Sequence, residues 1–324
     1  MKLAVVTGAA GVMGTRLVTR LANAGFRVRA LVLPNDPLRS RIEALGCEIR
    51  EGNVADAESL AGLCTGADTV YHLAAVIISY DPSVFTRVNL EGTANMVRES
   101  ARASVRHFVY VSSASVTYPV RTAYAESKLQ AEHLVRACRG LTYTIVRPTL
   151  VYEAGGGQEL MMFLAGLRRF PIAPFVGSGR SLKRPVWSED VIDGLARLAG
   201  NPIAHGKTYN LSGGEAISML DLAKLLLRHH GSERPILPLP VALFRAAARL
   251  LALVSKRPAL TSSAIAGIVN DANLDPSEAM RDLGYAPLGV VEGFRRCFPI
   301  TPDNRVVGQE LSQSQSSFEK GSAT

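Results

Sequence analysis

The sequence predicts an α/β fold, a doubly wound parallel sheet followed by a smaller C-terminal lobe. Three observations predict it. Short β-branched runs alternate with amphipathic helical patterns through the first half, as successive βαβ units do. A glycine-rich stretch, Thr7-Gly8-Ala9-Ala10-Gly11-Val12-Met13-Gly14, stands between the first run and the first helix. After Pro148 the alternation gives way to glycine- and proline-rich connections.

The elements follow in order. Leu3 to Thr7 is nearly continuously apolar, as in a strand buried on both faces. From Val12 to Ala24 the residues Met13, Leu17, Val18 and Leu21 recur at helical spacing, and Gly25 follows as a helix stop. Arg27 to Leu33 reads as the second strand, with further strands at Cys47 to Glu51, Thr69 to Leu73, His107 to Ser112 and Leu141 to Arg147. Helices over Ser83 to Ala103 and Thr122 to Cys138 lie among them. Gly155-Gly156-Gly157 and Pro171 to Gly179 read as loops between lobes. Lys207 to Leu211 reads as another strand, and Ser218 as the cap of the next helix, with Asp221 three residues on. Pro235 to Val254 gives a proline-rich lead into an apolar helix interrupted by Arg245 and Arg249.

Composition narrows the class. With 324 residues, 47% hydrophobic and 20% charged, the chain has the make-up of a globular protein with a large core. Its net charge of +8 is spread over doublets such as Arg168-Arg169, Lys183-Arg184 and Arg295-Arg296, with no interleaved aromatics. That pattern argues against nucleic acid and leaves room for an anionic small molecule. Cys47, Cys64, Cys138 and Cys297 show no metal-ligand spacing, so neither a zinc site nor a disulfide framework is expected. No stretch has the length and apolarity of a membrane span, and nothing reads as a cleavable leader. The expected compartment is the cytoplasm.

Gly8 suits a tight turn, Gly11 lets the backbone approach a phosphate, and Gly14 lets helix and sheet pack closely. A pyrophosphate would then lie at a helix N-terminus, where free N–H groups favour anions. Residues 1–150 are therefore expected to form a Rossmann-type NAD(P)-binding domain, with about 180–212 returning to it. Residues 151–300 would make mainly the substrate-binding lobe, and 301–324, rich in Ser, Gln and Glu from Gly308 on, a disordered tail. The second strand ends Leu31-Val32-Leu33-Pro34-Asn35-Asp36 without an acid at its tip. Asp36 would reach an NAD ribose from the loop, whereas Arg39 or Arg41 would favour the 2′-phosphate of NADP. NAD is the expected cofactor, with NADP left open.

Tyr124 and Lys128 stand at i and i+4 and project from one helix face. A phenol titrates near ~10, and a neighbouring ammonium would draw it toward working pH. Ser113, at the end of the Val109-Tyr110-Val111-Ser112-Ser113 strand, would bind the reacting oxygen; alternation sends Ser112 to the other face.

These residues resemble the extended short-chain dehydrogenases/reductases, the NAD-dependent epimerase/dehydratase family, over about Met1 to Phe298. Thr7 to Gly14 resembles its TGxxGxxG motif, Gly52-Asn53-Val54 its Gly-Asp-(Val/Ile/Leu), and His72-Leu73-Ala74-Ala75 its fourth-strand motif beside the nicotinamide ribose. Asn89 matches its structural asparagine, and Arg147-Pro148-Thr149-Leu150-Val151-Tyr152 its RPxxVYG element. The resemblance implies Ser113, Tyr124 and Lys128 as the catalytic set. It implies cofactor contacts from Gly8, Ala10, Gly11, Val12, Met13, Gly14, Asp36, Asn53, Val54, Leu73, Ala74, Ala75, Tyr124, Lys128 and Pro148. It also implies a homodimer through the long helices Ser83–Ala103 and Thr122–Cys138.

Three departures stand out. Asn53 replaces an adenine-binding Asp, Glu153 stands where Gly is usual, and the Ser113–Tyr124 connection is short. Lys183 falls where nucleotide-sugar members carry a diphosphate-binding arginine, with Arg184 beside it. The expected substrate is therefore a nucleotide sugar, handled by a 4-epimerase or 4-keto reductase. The alternative is a 3β-hydroxysteroid-type dehydrogenase acting on an apolar alcohol, with Leu243, Leu250, Leu251 and Val254 of the apolar helix at an interface. A non-catalytic, cofactor-bound scaffold is the third reading.

Overall fold

In the computed structural model, which describes residues 1–153, 157–258 and 260–297, seven parallel strands form the central sheet. They are β1 (Leu3–Thr7), β2 (Arg27–Val32), β3 (Glu48–Glu51), β4 (Thr69–His72), β5 (His107–Val111), β6 (Tyr143–Pro148) and a strand over Thr208–Leu211. The last pairs with β6, so the order is 3-2-1-4-5-6 with Thr208–Leu211 outside β6. The order reverses between β1 and β4, and a doubly wound sheet opens its ligand crevice there, beyond the strand C-termini.

Helices cover both faces. α1 (Val12–Asn23) buries Leu17, Val18 and Leu21, and Gly25 closes it: Phe26 N–H returns to Leu21 O at 3.1 Å and Gly25 N–H to Ala22 O at 3.0 Å. α2 (Arg39–Glu43) is a short turn after β2. The predicted helix from Ser83 is interrupted. α3 (Pro82–Val84), capped by Asp81, leads into a π-helical turn over Phe85–Glu91 before α4 (Gly92–Arg102). Asn89 lies in that turn, a widening that periodicity alone does not reveal. α5 (Ala123–Ala137) is capped by Thr122, whose hydroxyl accepts from Ala125 N–H at 3.2 Å.

The second half builds the smaller lobe around β7 (Val151–Tyr152), α6 (Gln158–Arg168), β8 (Ala173–Val176), β9 (Leu182–Lys183) and β10 (Val186–Trp187). α7 (Ser188–Ala196) then packs on α1, and β11 (Thr208–Leu211) is the strand already placed in the sheet. β12 (Ile217–Ser218), α8 (Met219–His229), β13 (Ile236–Leu239), α9 (Val241–Val254), α10 (Ser262–Val269), α11 (Ser277–Leu283) and α12 (Val290–Cys297) complete the chain. Ser218 caps α8 as expected, accepting from Asp221 N–H at 3.1 Å.

Pro171 to Gly179 corrects one expectation. Ala173–Val176 is strand β8, paired in parallel with β13, because Ala173 and Phe175 bury in the lobe core. Their flanking prolines and glycines read as a loop without the distant partner. Gly155 and Gly156 of the expected loop, and the tail 301–324, lie outside the described residues.

Candidate active site

At the switch point the chain from β1 turns sharply into α1. Gly8 adopts φ +67°, and a Cβ there would fall 2.9 Å from Ala74 N. Gly11 N–H bonds Gly8 O at 3.2 Å, and a Cβ on Gly14 would strike the Gly8 carbonyl. α1 has no side-chain cap and no acid in its first turn, while Gly11 and Val12 lie exposed and Met13 half-buried. This bare N-terminus fits an anion such as a pyrophosphate. Ala10 is buried beneath the turn.

The remaining expected cofactor residues divide. Leu73, Ala74 and Ala75 follow β4 at the crevice, half-buried, and Pro148 is buried at the end of β6. Asp36 turns back on its own loop, accepting from Leu38 N–H at 2.9 Å, and Arg39 is committed to Glu43 and Glu51. Asn53 stays exposed, its Oδ1 accepting from Ala55 N–H at 2.9 Å. The Val54 side chain is buried in the core against Gly92, so any cofactor contact at this position falls to its main chain.

A buried polar chain joins this turn to α5. Thr7 Oγ1 accepts from Ala74 N–H at 3.1 Å and meets His72 Nδ1 at 2.7 Å. His72 Nε2 lies 3.0 Å from Thr93 Oγ1, and Thr93 donates to Asn89 O at 2.5 Å. Since the Thr93 proton is spent on Asn89, the partners assign a neutral His72 protonated at Nε2. Burial and the Lys128 charge hold His72 down to about 3, in keeping with that form. Asn89 grips the next loop through both Val76 N–H (2.8 Å) and Val76 O (2.9 Å), and donates to Ser127 Oγ at 3.2 Å.

The three expected catalytic side chains gather at the C-terminal end of β5. Ser112 and Ser113 diverge as strand alternation requires. Ser112 donates to buried Glu132 at 2.6 Å, while Ser113 meets Ser115 Oγ at 2.9 Å and stands against the Tyr124 phenol. Phe85 of the π-helical turn packs edge-on to Tyr124, ring centroids 6.0 Å apart. Lys128 is buried, donates to Val111 O at 2.6 Å, and lies 4.3 Å from the centre of the Tyr110 ring. Burial brings Lys128 down to about 7, with the Glu132 charge opposing. Burial would also raise Glu132, but hydrogen bonds from Arg147 (2.8 and 2.6 Å) and Ser112 hold it below the usual range.

The Tyr124 phenol departs from the sequence expectation. Burial and the Glu159 charge hold it above its ordinary value, and only the Ser113 hydrogen bond pulls the other way. The Lys128 ammonium reaches the Val111 carbonyl instead. Glu159 was missed in the sequence because an acid in a helix's first turn reads as a dipole partner. Here solvent reaches it, yet the surrounding protein raises its carboxyl, and its charge acts on Tyr118 as well as Tyr124.

The expected substrate cations are spoken for. Lys183 is buried, donates to Asn270 O, and is brought down to about 8 by burial. Its Nζ lies 6.0 Å from the Tyr118 ring. Arg184 donates to Asn273 Oδ1 at 2.7 Å and to Gly214 O at 3.2 Å. Glu153, the departure from the family's glycine, pairs at 3.6 Å with Arg16 of α1, which also holds Glu189 at 3.2 Å.

Fold and crevice together define a nicotinamide-dependent enzyme of the doubly wound class. The chain belongs to the NAD-dependent epimerase/dehydratase family, whose profile matches residues 4–212. It is similar to a 4-hydroxy-2-methyl-3-oxo-4-farnesyl-3,4-dihydroquinoline-1-oxide ketoreductase of Stigmatella aurantiaca, 28% identical over 87% of this chain and 91% of the relative. It is also similar to a 3β-hydroxysteroid dehydrogenase/Δ5→4-isomerase of Mycobacterium tuberculosis, 26% identical over 91% of this chain and 89% of the relative. Among solved structures it shares its fold with the dTDP-glucose 4,6-dehydratase of Streptomyces venezuelae, at TM-score 0.70 and 23% identity over 91% and 95% of the two chains. The expected fold, family and NAD dependence agree with these matches.

Proposed function

We propose that this enzyme interconverts a secondary alcohol and a ketone on a lipophilic substrate, with Tyr124, Ser113 and Lys128 as its working groups. NAD, when bound, supplies the hydride acceptor and its reduced form the donor. The glycine turn and α1 N-terminus would hold its pyrophosphate, and Leu73, Ala74 and Ala75 would flank its nicotinamide side. Tyr124 gives a proton to the ketone oxygen or takes one from the alcohol. Ser113 donates to the same oxygen and steadies the charge that develops there. Lys128, tied to the end of β5, keeps α5 and its tyrosine in register with that strand.

The observation that carries the substrate class is the commitment of Lys183 and Arg184 to Asn270, Asn273 and the Gly214 carbonyl. By the family resemblance, those are the cations a nucleotide sugar would draw on for its diphosphate. Meanwhile the loop after β4 exposes Ile77, Ile78 and Tyr80, and the Ser113–Tyr124 connection exposes Val120. The steroid and farnesylated substrates in the two relatives' names support the same class. The nucleotide-sugar reading is the competitor in the test.

The test follows nicotinamide reduction by purified protein with a soluble 3β-hydroxysteroid, against epimerisation or oxidation of UDP- and dTDP-sugars. Turnover of the steroid is expected, falling about 10²–10⁴-fold in Tyr124→Phe while NAD still raises the melting temperature. Turnover of a nucleotide sugar, or a thermal shift with a nucleoside diphosphate alone on the NAD-saturated protein, would overturn the lipophilic reading.

A further inference from the structure

Helix α9 is apolar on both its inner and its outer face. Its inner line, Val241, Phe244 and Ala248, packs on Val176 of β8 and Ile265 of α10. At about 100° per residue, the opposite face carries Leu243, Ala246, Leu250, Leu253 and Val254. Leucine and valine side chains on that face are 55% (Leu243), 65% (Leu250), 82% (Leu253) and 82% (Val254) exposed. Scattered exposed apolar residues are ordinary, but one helix presenting such a contiguous face is an interaction surface.

Charge narrows the partner. From residue 234 to residue 270 the sequence contains no Asp or Glu, while Arg245 and Arg249 line one flank of α9 and Lys256 and Arg257 follow its end. All four are exposed and form no ion pair among the described residues. A second copy docked through this face would bring like cations together with no acid in this segment to answer them. The tail 301–324, with Asp303, Glu310 and Glu319 among mostly polar residues, offers no matching apolar stretch. An anionic bilayer satisfies both features, taking the leucines into the acyl boundary and the cations among the headgroups. The 14-residue helix is about 21 Å long, short of the ~30 Å hydrocarbon core, so it lies on the surface and does not cross.

We infer that α9 docks this enzyme on anionic lipid membranes. α10, packed against α9, ends at Val269, which with the following Asn270 lines a cleft of about 520 Å³ beside Thr117 and Pro119 of the Ser113–Tyr124 connection. A docked α9 holds that cleft one helix away from the bilayer. The inference rests on α9 alone and holds whichever substrate the site turns over.

The test is sedimentation of the full-length protein with vesicles of phosphatidylcholine alone or mixed equally with phosphatidylglycerol. The wild type is expected to pellet with the anionic vesicles, several-fold less with neutral ones, and less again at high salt. Leu250→Glu/Leu253→Glu should stay at least tenfold more in the supernatant with an unchanged melting temperature, and Arg249→Glu/Lys256→Glu should lose the preference for anionic lipid. A wild type that ignores anionic vesicles overturns the inference, as does equal pelleting of wild type and the leucine variant. Concentration-dependent dimers abolished by the leucine variant, without lipid binding, would assign the face to self-association instead.

Discussion

The Lys128 ammonium donates to the main-chain carbonyl of Val111 at 2.6 Å, tying the helix that carries Tyr124 to the end of β5. The bond is made in a buried place, and burial brings the ammonium down to about 7. Stability should therefore depend on pH in a definite sense. Below about pH 7 the lysine is charged in both folded and unfolded chains, and the folded chain bears the full cost of the buried charge. Between there and the ordinary lysine value near ~10.4, the unfolded chain keeps a proton the folded chain has released, so stability rises with pH. Lys183, brought down to about 8, adds a smaller rise over the upper part of the window. Melting temperatures of wild type and Lys128→Met across this range should differ in slope, the variant being flatter. Parallel curves would mean that Lys128 has its ordinary acidity.

After burial, the Glu159 charge is the next largest influence on the acidity of Tyr124. That charge raises the phenol, so Glu159→Gln should lower it. The limb of the kcat/KM profile that reports Tyr124 would then move to lower pH with little change in melting temperature. An unmoved profile would show that Glu159 is too well solvated to act.

Gly14 is held by space alone. A Cβ there would meet the Gly8 carbonyl and lie 2.7 Å from Ala9 Cα, so Gly14→Ala must push the turn off the helix. The expected loss is about 1–3 kcal/mol in urea denaturation, with loss of the thermal shift given by NAD. A variant as stable as wild type that still responds to NAD would show that the turn tolerates a side chain.

Much of the fold was legible because it is local. β1, α1, β2 and the cap at Ser218 each announce themselves through apolar period, a glycine or a hydroxyl within a few residues. The candidate site was legible where its spacing is also local: Thr7 to Gly14, Ser113 after its strand, Tyr124 and Lys128 one helical turn apart. The π-helical turn around Asn89 was not, since the partner Asn89 holds there, Val76, lies in the loop after β4, outside the helix's own period. β8 was not either, because its partner β13 lies about sixty residues on.

By itself, then, the sequence determined the parallel sheet, the glycine turn and which side chains are the candidates for the chemistry, because periodicity and short spacings encode them. Tertiary structure alone decided their state. It buried Lys128 against Val111, set Glu159 beside Tyr124, and closed Lys183 and Arg184 onto Asn270 and Asn273. It also left the leucines of α9 facing outward. Burial and partnership between residues distant in the chain fix the charge a group carries and what it is free to touch, and neither quantity has a period along a sequence.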